Sequence, residues 1–75
     1  MFDEQTDPSL PSLDGYIAKR VPSYRALKTY VCPACQNPVN HNVGHVVVWP
    51  DGDVNLRRHW HHHCWRLAVG RGRVT

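Results

Sequence analysis

Hydrophobic residues in the second half of the chain fall into two stretches, residues 45–49 and 54–60. The first is rich in valine and ends in tryptophan, and such β-branched and aromatic residues favour strands. The intervening residues 50–53 read Pro-Asp-Gly-Asp, which is typical of a turn. Polar and core-facing residues alternate along the second stretch, so the pattern predicts a β-hairpin with one edge toward a small core. The predicted core-facing residues are Val54, Leu56, Arg58 and Trp60.

A short helix is predicted after the hairpin. Trp60, Cys64 and Leu67 fall at positions i, i+4 and i+7, which places their side chains on one stripe of a helix. The helix is expected to end before Gly70, since glycine commonly follows the last helical residue. Upstream, a β-branched and aromatic run at residues 29–31 leads into a pair of cysteines and is expected to be extended.

These patterns divide the chain into three segments. We expect residues 1–23 to form a flexible arm, because residues 7–15 mix proline, serine and acidic residues without helical or strand periodicity. Within this arm, residues 16–21 could form a short helical turn or an extended docking segment, and Pro22 limits any helix before it. Residues 24–69 contain the cysteines, the predicted hairpin and the predicted helix, and they form the predicted zinc-binding module. Residues 70–75 read Gly-Arg-Gly-Arg-Val-Thr and are expected to be a basic tail.

Two pairs of potential metal ligands supply the most specific chemical signal. Two residues separate Cys32 from Cys35, and the same spacing separates His61 from Cys64. Zinc prefers thiolate and imidazole donors, and four protein donors leave no open position for water or substrate. Residues three apart share a face of a helix, which favours His61 over the neighbouring histidines. We therefore predict one structural zinc ion bound by Cys32, Cys35, His61 and Cys64.

Other uses of these residues remain open from the sequence. Iron could replace zinc, and Cys32 with Cys35 could form a redox-active dithiol. His59, His62 or His63 could replace His61 as the fourth ligand. An odd number of cysteines cannot pair completely into disulfides within one chain, and the spacing without a secretory leader favours metal in a reducing compartment.

The predicted fold follows from the order of these elements. A chain of 75 residues buries little apolar surface, so a domain of this size usually needs a metal ion or disulfides. A Cys-x-x-Cys knuckle, a β-hairpin and a C-terminal short helix are the parts of a treble-clef zinc finger. We predict a small zinc-stabilised α+β fold, treble-clef-like or zinc-ribbon-like. Because metal binding then supplies folding energy, the metal-free chain is expected to be largely unfolded.

The charge distribution suggests a polyanionic partner. Residues 15–75 carry a formal charge of +7, since they hold all nine Lys and Arg but only two acidic residues. A compact basic module attracts nucleic acid by electrostatic steering and counterion release. A solvated surface that keeps the protein soluble is the alternative explanation. The candidate binding residues are Arg57, Arg58, Arg66, Arg71 and Arg73.

Residues 32–65 resemble the first zinc half-site of a LIM domain. The shared features are Cys-Pro-Ala-Cys at residues 32–35 and Trp-His-His-His-Cys-Trp at residues 60–65. The resemblance implies that Trp60 and Trp65 pack beside the metal, and it makes a protein-protein interaction adaptor the alternative function. A full LIM domain has four more ligands, and no cysteine follows Cys64 here.

The chain also resembles short actinobacterial and actinophage proteins of unassigned function. The similar residues lie at 45–50, 57–61 and 64–65. Such proteins sometimes carry an ATP/GTP-binding label. The sequence gives that label no support, because it has no Gly-x-x-x-x-Gly-Lys-Ser/Thr loop.

An HNH-like metal-dependent nuclease is a minor alternative. HNH nucleases use a ββα frame with a histidine that activates water, and His45, Asn55 and His59 could imitate part of that arrangement. The paired residue that usually precedes the catalytic histidine is absent, since the segment reads Asn-Val-Gly before His45. We therefore predict no enzymatic activity and no small-molecule substrate. We expect the protein to be a cytoplasmic monomer. No stretch is long enough to span a bilayer, so no membrane contact is expected.

Overall fold

In the computed structural model, which describes residues 6–73, five strands and one α-helix are present. The strands are β1 Tyr16–Val21, β2 Tyr30–Val31, β3 Pro38–Val39, β4 His45–Pro50 and β5 Arg58–Trp60, and the helix is α1 His62–Arg71. Two single 3-10 turns lie at Ser23–Arg25 and Val54–Leu56. The fold is thus a small α+β arrangement of antiparallel strands with a C-terminal helix.

The main sheet has the strand order β1-β4-β5, with both pairs antiparallel. The predicted hairpin is confirmed as β4 and β5, with Val46 opposite Trp60 and Val48 opposite Arg58. The predicted second strand is too long, however. Residues 53, 56 and 57 donate their amides to carbonyls three residues earlier, so this segment satisfies its hydrogen bonds locally instead of pairing with β4. Val54 and Leu56 are consequently exposed rather than core-facing.

The segment predicted as a flexible arm contains β1 and packs against the core. Ile17 and Ala18 are buried on the sheet, and Leu10 is only 7% exposed. The amide of Asp7 donates to the carbonyl of Ala18 at 2.9 Å, and the amide of Ala18 donates to the hydroxyl of Thr6 at 3.2 Å. The prediction for residues 1–23 is therefore wrong from Thr6 onward, because backbone pairing with β4 outweighs the weak local periodicity. Its first five residues lie outside the described part of the chain.

Helix α1 buries a different stripe from the predicted one. Trp65 and Ala68 are buried, whereas Leu67 is 44% exposed. The ring of Trp65 meets that of Trp60 edge to face at 5.5 Å, and its Nε1 donates to the carbonyl of Pro11 at 2.9 Å. The stripe prediction fails because Trp60 belongs to β5, so the helical spacing cannot be counted from it.

The helix also runs past its predicted end before Gly70. It ends at Arg71, and Gly72 adopts the left-handed conformation with φ 75° that closes many helices. Gly72 has two features that a helix end requires, a permissive φ and an amide that bonds back to Val69. Across the described residues, no helix has the length and apolar character needed to cross a bilayer.

Candidate metal centre

A tight turn between β2 and β3 carries the first two cysteines. The amide of Cys32 donates to the carbonyl of Asn37 at 3.0 Å, and the amide of Gln36 donates back to the carbonyl of Cys32 at 2.9 Å. Gln36 has φ 65°, a left-handed conformation that lets the chain reverse after Cys35. The strands on either side pair Tyr30 with Val39. This knuckle brings the two thiols to one end of the small sheet.

The second pair of residues lies at the start of α1. His61 precedes the helix in an extended conformation, with φ −65° and ψ 147°, and its carbonyl accepts the amide of Trp65. Cys64 is in the first helical turn. The prediction placed both residues within the helix, whereas His61 occupies the N-cap position. The helix therefore begins directly beside the knuckle.

The four predicted ligands come together in the structure. Their donor atoms, three Sγ and one imidazole nitrogen, all lie within 4.8 Å of one another. Nδ1 of His61 is 3.4 Å from Sγ of Cys35 and 3.9 Å from Sγ of Cys64. Zinc bonds of about 2.3 Å to sulfur and about 2.0 Å to nitrogen in a tetrahedron separate sulfur from nitrogen by about 3.5 Å. The cluster therefore has the dimensions to hold one metal ion.

A backbone carbonyl orients the imidazole. Nε2 of His61 lies 3.0 Å from the carbonyl oxygen of Pro38 in β3. A carbonyl oxygen only accepts, so Nε2 carries the proton and Nδ1 presents its lone pair to the sulfurs. Metal-bound histidines in proteins are commonly fixed in this way by a hydrogen bond from the second ring nitrogen.

The surroundings shift the acidity of two thiols in opposite directions. Burial raises the pKa of Cys32, but hydrogen bonds from the backbone amides of His61, Cys35 and Ala34 outweigh it and lower this pKa to about 6. Burial and hydrogen bonds to the two other thiols raise the pKa of Cys64 to about 12. Three sulfurs this close cannot all be ionised without a cation between them, which is the condition that a metal ion relieves.

The neighbouring histidines take no part in this cluster. His63 is exposed on the helix. Burial and the nearby charges of Arg20 and Arg66 lower the pKa of His62. His59 points to the other side of β5, where it stacks on Tyr30. Among the described residues, the metal-holding group thus contains His61 and none of the three alternatives.

A second cluster, formed by the rings of Tyr30, His45 and His59, lies behind β5. The sequence grouped the two histidines only as parts of an HNH-like arrangement and gave no sign of the stack on Tyr30. The rings of Tyr30 and His59 stack at 3.5 Å with 7° between their planes. Nε2 of the fully buried His45 is 2.7 Å from Nδ1 of His59, and Nδ1 of His45 is 2.9 Å from the carbonyl oxygen of Val43. Burial lowers the pKa of His59 to about 4, and the electrostatic influence of His45 and Arg57 on a protonated His59 acts in the same direction. The only sequence signal was the alternation that places His45 and His59 on facing strands.

Three recesses follow one another along the surface beside β5. The basic recess, of about 620 Å³, includes Lys28, Tyr30 and His59. The aromatic recess, of about 520 Å³, includes Tyr16 and Trp49. These two recesses share Asn55, Arg57 and Arg58 in their walls.

The third recess, the knuckle recess of about 300 Å³, continues from the aromatic recess. It shares Pro33 and Trp60 with the aromatic recess and is also lined by Arg71 and Arg73. Four of the five predicted arginines thus border this row of recesses. Arg66 is exposed on α1 and lines none of the three.

Comparison with known proteins identifies relatives that share this segment. The model of a family described as "Rv1322 family protein" matches residues 9–66, a range that includes all four residues of the metal cluster. Uncharacterized protein Rv1322 of Mycobacterium tuberculosis and uncharacterized protein Mb1356 of Mycobacterium bovis are each 43% identical over 66 residues. Each alignment covers 83% of this chain and 67% of the relative. No solved structure gives a significant match.

Proposed function

This chain belongs to the Rv1322 family, and we propose that it is a zinc-stabilised module that binds single-stranded nucleic acid along the three recesses beside β5. The zinc has a structural role, since three thiolates and one imidazole complete its coordination. The module has no catalytic step of its own. In this proposal it acts as a monomer in the cytoplasm, a reducing compartment in which its three cysteines stay available as zinc ligands.

The arrangement of the ligands supports a treble-clef-like fold. Two donors come from the knuckle between β2 and β3, and two come from the start of α1. The hairpin of β4 and β5 separates the two pairs in sequence. A metal ion bound by all four residues ties the knuckle to the helix across 25 intervening residues, from Gln36 to Trp60. Metal binding then supplies much of the folding energy of a chain with a small core.

The observation that carries the nucleic-acid proposal is the row of recesses with basic walls. Arg57 and Arg58 stand between the basic and aromatic recesses, and Arg71 and Arg73 line the knuckle recess. Guanidinium groups spaced along a surface can bind successive phosphates of a polynucleotide. If these arginines served only to keep the protein soluble, they would be scattered over the surface and would not lie along one row of recesses.

An aromatic ring between the cations supplies the second requirement. Tyr16 and Trp49 are half-buried and are among the residues that line the aromatic recess, but the register of β1 and β4 directs their side chains to opposite faces of the sheet, so they offer one ring to this recess and not two. Single-stranded nucleic acid offers unpaired bases that stack on such a ring, whereas a duplex does not. Trp65 is fully buried in the core, so its ring is not available to stack on a base. The favoured ligand is therefore a short single strand, on the order of four nucleotides or more.

Salt dependence of oligonucleotide binding tests this function. A labelled single-stranded twelve-mer is titrated with the zinc-loaded protein at several salt concentrations and followed by fluorescence anisotropy. Replacing Arg57 and Arg58 by Gln removes two phosphate contacts and reduces the slope of log K against log salt by about 1.4. The double variant Arg25→Gln with Arg66→Gln removes the same charge away from the recesses and leaves the slope unchanged. Equal slopes for both double variants would contradict the proposal.

A protein-binding adaptor is the second candidate function. Tyr24 is 78% exposed and Leu27 is 82% exposed, and both lie in the loop before β2. Large exposed apolar side chains in one loop are typical of contact surfaces. Binding of a protein partner there would be insensitive to salt and would be lost with Tyr24→Ser and Leu27→Ser, whereas nucleic-acid binding would be retained.

The geometry does not favour the HNH-like alternative. His45 is fully buried, and both of its ring nitrogens take part in hydrogen bonds with His59 and Val43. It therefore has no free nitrogen with which to activate water.

A further inference from the structure

A chain of hydrogen bonds fixes which nitrogen of His59 carries a proton. The carbonyl oxygen of Val43 only accepts, so Nδ1 of His45 donates to it at 2.9 Å. In neutral His45 this leaves a lone pair on Nε2, which lies 2.7 Å from Nδ1 of His59. Nδ1 of His59 is then the donor in this contact. The remaining nitrogen, Nε2 of His59, is left with a lone pair.

The position and accessibility of this nitrogen decide whether a ligand can reach it. Within residues 6–73, Nε2 of His59 makes no hydrogen bond to the protein, and no buried side-chain nitrogen or oxygen in that range lacks a partner, so the atom is open to solvent. His59 lines the basic recess. Its ring cannot turn freely, because it stacks on Tyr30 at 3.5 Å and bonds to a fully buried histidine. The recess therefore contains a fixed acceptor.

The other polar groups of the recess are mostly donors. Lys28, Arg57 and Arg58 are cations that bind phosphate oxygens. A phosphate has no proton to donate to His59 at neutral pH, so the acceptor fits a different group next to the phosphate. In RNA the 2′-hydroxyl of the ribose is a donor close to the phosphate, and DNA lacks it.

We propose that the basic recess binds a ribonucleotide unit of single-stranded RNA, with Nε2 of His59 accepting the 2′-hydroxyl proton while the surrounding cations bind the adjacent phosphate. This inference rests on the proposed nucleic-acid function and adds to it a preference for RNA over DNA. His45 is a positioning residue in this arrangement, because it holds the His59 ring and its protonation pattern without touching the ligand.

Matched oligonucleotides test the preference directly. The probes are twelve-mers of uridine, of 2′-deoxyuridine and of 2′-fluorouridine, titrated into the zinc-loaded protein under identical salt conditions. The 2′-fluoro sugar keeps an RNA-like shape but has no hydroxyl proton to donate. We expect the uridine twelve-mer to bind about five-fold more tightly than both others, the size of one net hydrogen bond. Equal affinity of the uridine and 2′-fluoro probes would overturn the inference.

A matched pair of variants locates the effect. His59→Phe keeps an aromatic ring for Tyr30 to stack on but has no nitrogen, so we expect its affinity for the uridine probe to fall to that for the deoxyuridine probe. The readout is the ratio of the two affinities, which should fall to about one, since His59 also lines the recess that both probes occupy. His41→Phe, which makes the same change at an exposed histidine, keeps the five-fold preference. A preference that persists in His59→Phe would contradict a role for Nε2.

A measurement on the unsubstituted protein covers the case in which His59→Phe does not fold. In a nitrogen-15 spectrum of the histidine side chains, the uridine probe is expected to shift the Nε2 signal of His59 and the deoxyuridine probe is not. Binding of all three probes with equal affinity and no Nε2 shift would disprove the RNA preference and leave the nucleic-acid function intact. Failure of every probe to bind would disprove both.

Discussion

Nε2 of His61 lies 3.0 Å from the carbonyl oxygen of Pro38, so this imidazole is fixed by the strand that follows the knuckle. The same hydrogen bond leaves Nδ1 of His61 as the acceptor, 3.4 Å from the sulfur of Cys35. The knuckle thus contributes two cysteine ligands and also orients the ligand that precedes the helix. A cluster assembled in this way brings together four residues, from two distant parts of the chain, that could hold one metal ion.

The first prediction concerns which histidine binds the metal. His61→Ala removes one of four ligands, and we expect the purified variant to lose stoichiometric zinc and its cooperative thermal transition. His63→Ala makes the same change at an exposed residue two positions away and should keep both. Elemental analysis and circular dichroism melting measure the two properties. Zinc retained at full stoichiometry in His61→Ala would show that another residue completes the site.

The second prediction concerns the segment before β1. Leu10 is 7% exposed and belongs to the core cluster, so Leu10→Ala leaves a cavity and should reduce the free energy of unfolding by about 2 kcal/mol. Leu67→Ala removes the same atoms from a side chain that is 44% exposed, and its cost should stay below about 0.5 kcal/mol. Denaturant unfolding of the zinc-loaded variants measures both. Equal costs would indicate that Leu10 does not pack in solution.

The third prediction concerns the left-handed residue of the knuckle. A residue with a Cβ is strained at φ 65°, whereas glycine is not, so Gln36→Gly should be more stable than Gln36→Ala by about 1 kcal/mol. Both variants lose the hydrogen bond from Nε2 of Gln36 to the carbonyl of Pro33, so their difference reports the backbone alone. Thermal unfolding with zinc bound gives the comparison. Equal stabilities would mean that the knuckle relaxes out of the left-handed conformation.

The fourth prediction concerns pH. The folded environment lowers the pKa of His59 to about 4 from an ordinary value of 6.5, because burial disfavours the imidazolium and the electrostatic influence of His45 and Arg57 acts in the same direction. The unfolded chain therefore takes up this proton first as the pH falls. The corresponding stability is fully present above about pH 6.5 and is lost progressively toward pH 4.

Comparison with a variant that cannot titrate isolates this effect. Protonation of the metal ligands in acid destabilises the unsubstituted protein and His59→Phe alike. As the pH falls from 7 to 5, the free energy of unfolding should therefore decrease more in the unsubstituted protein than in His59→Phe. If the free energies of unfolding of the two proteins change in parallel with pH, His59 titrates normally in the folded protein.

The four residues of the candidate metal cluster could be predicted from the sequence because their spacing is a local property. Cys32 with Cys35 and His61 with Cys64 each lie within four residues, and the chemistry of zinc restricts which donors can pair. The hairpin of β4 and β5 was predictable for the same reason, from alternation and a turn. His61 was selected for a helical spacing, although it lies at the N-cap and its orientation comes from Pro38, a contact across 23 positions.

The features that sequence reasoning missed depend on contacts between distant residues. Strand β1 is defined by pairing with β4 and not by its own weak pattern, so it was placed in a flexible arm. Trp65 owes its burial partly to Pro11, 54 positions away. The His45–His59 pair and its stack on Tyr30 likewise join three strands. None of these contacts leaves a periodic signal within a short window.

A single bound metal ion is expected to hold the knuckle to the helix. Native mass spectrometry of the purified protein, followed by thermal melting before and after removal of metal with a chelator, tests it in one experiment. We predict one zinc ion per chain and loss of the cooperative transition on chelation, restored by adding zinc. If the metal-free chain melts cooperatively at the same temperature as the untreated protein, the fold does not depend on a bound metal ion.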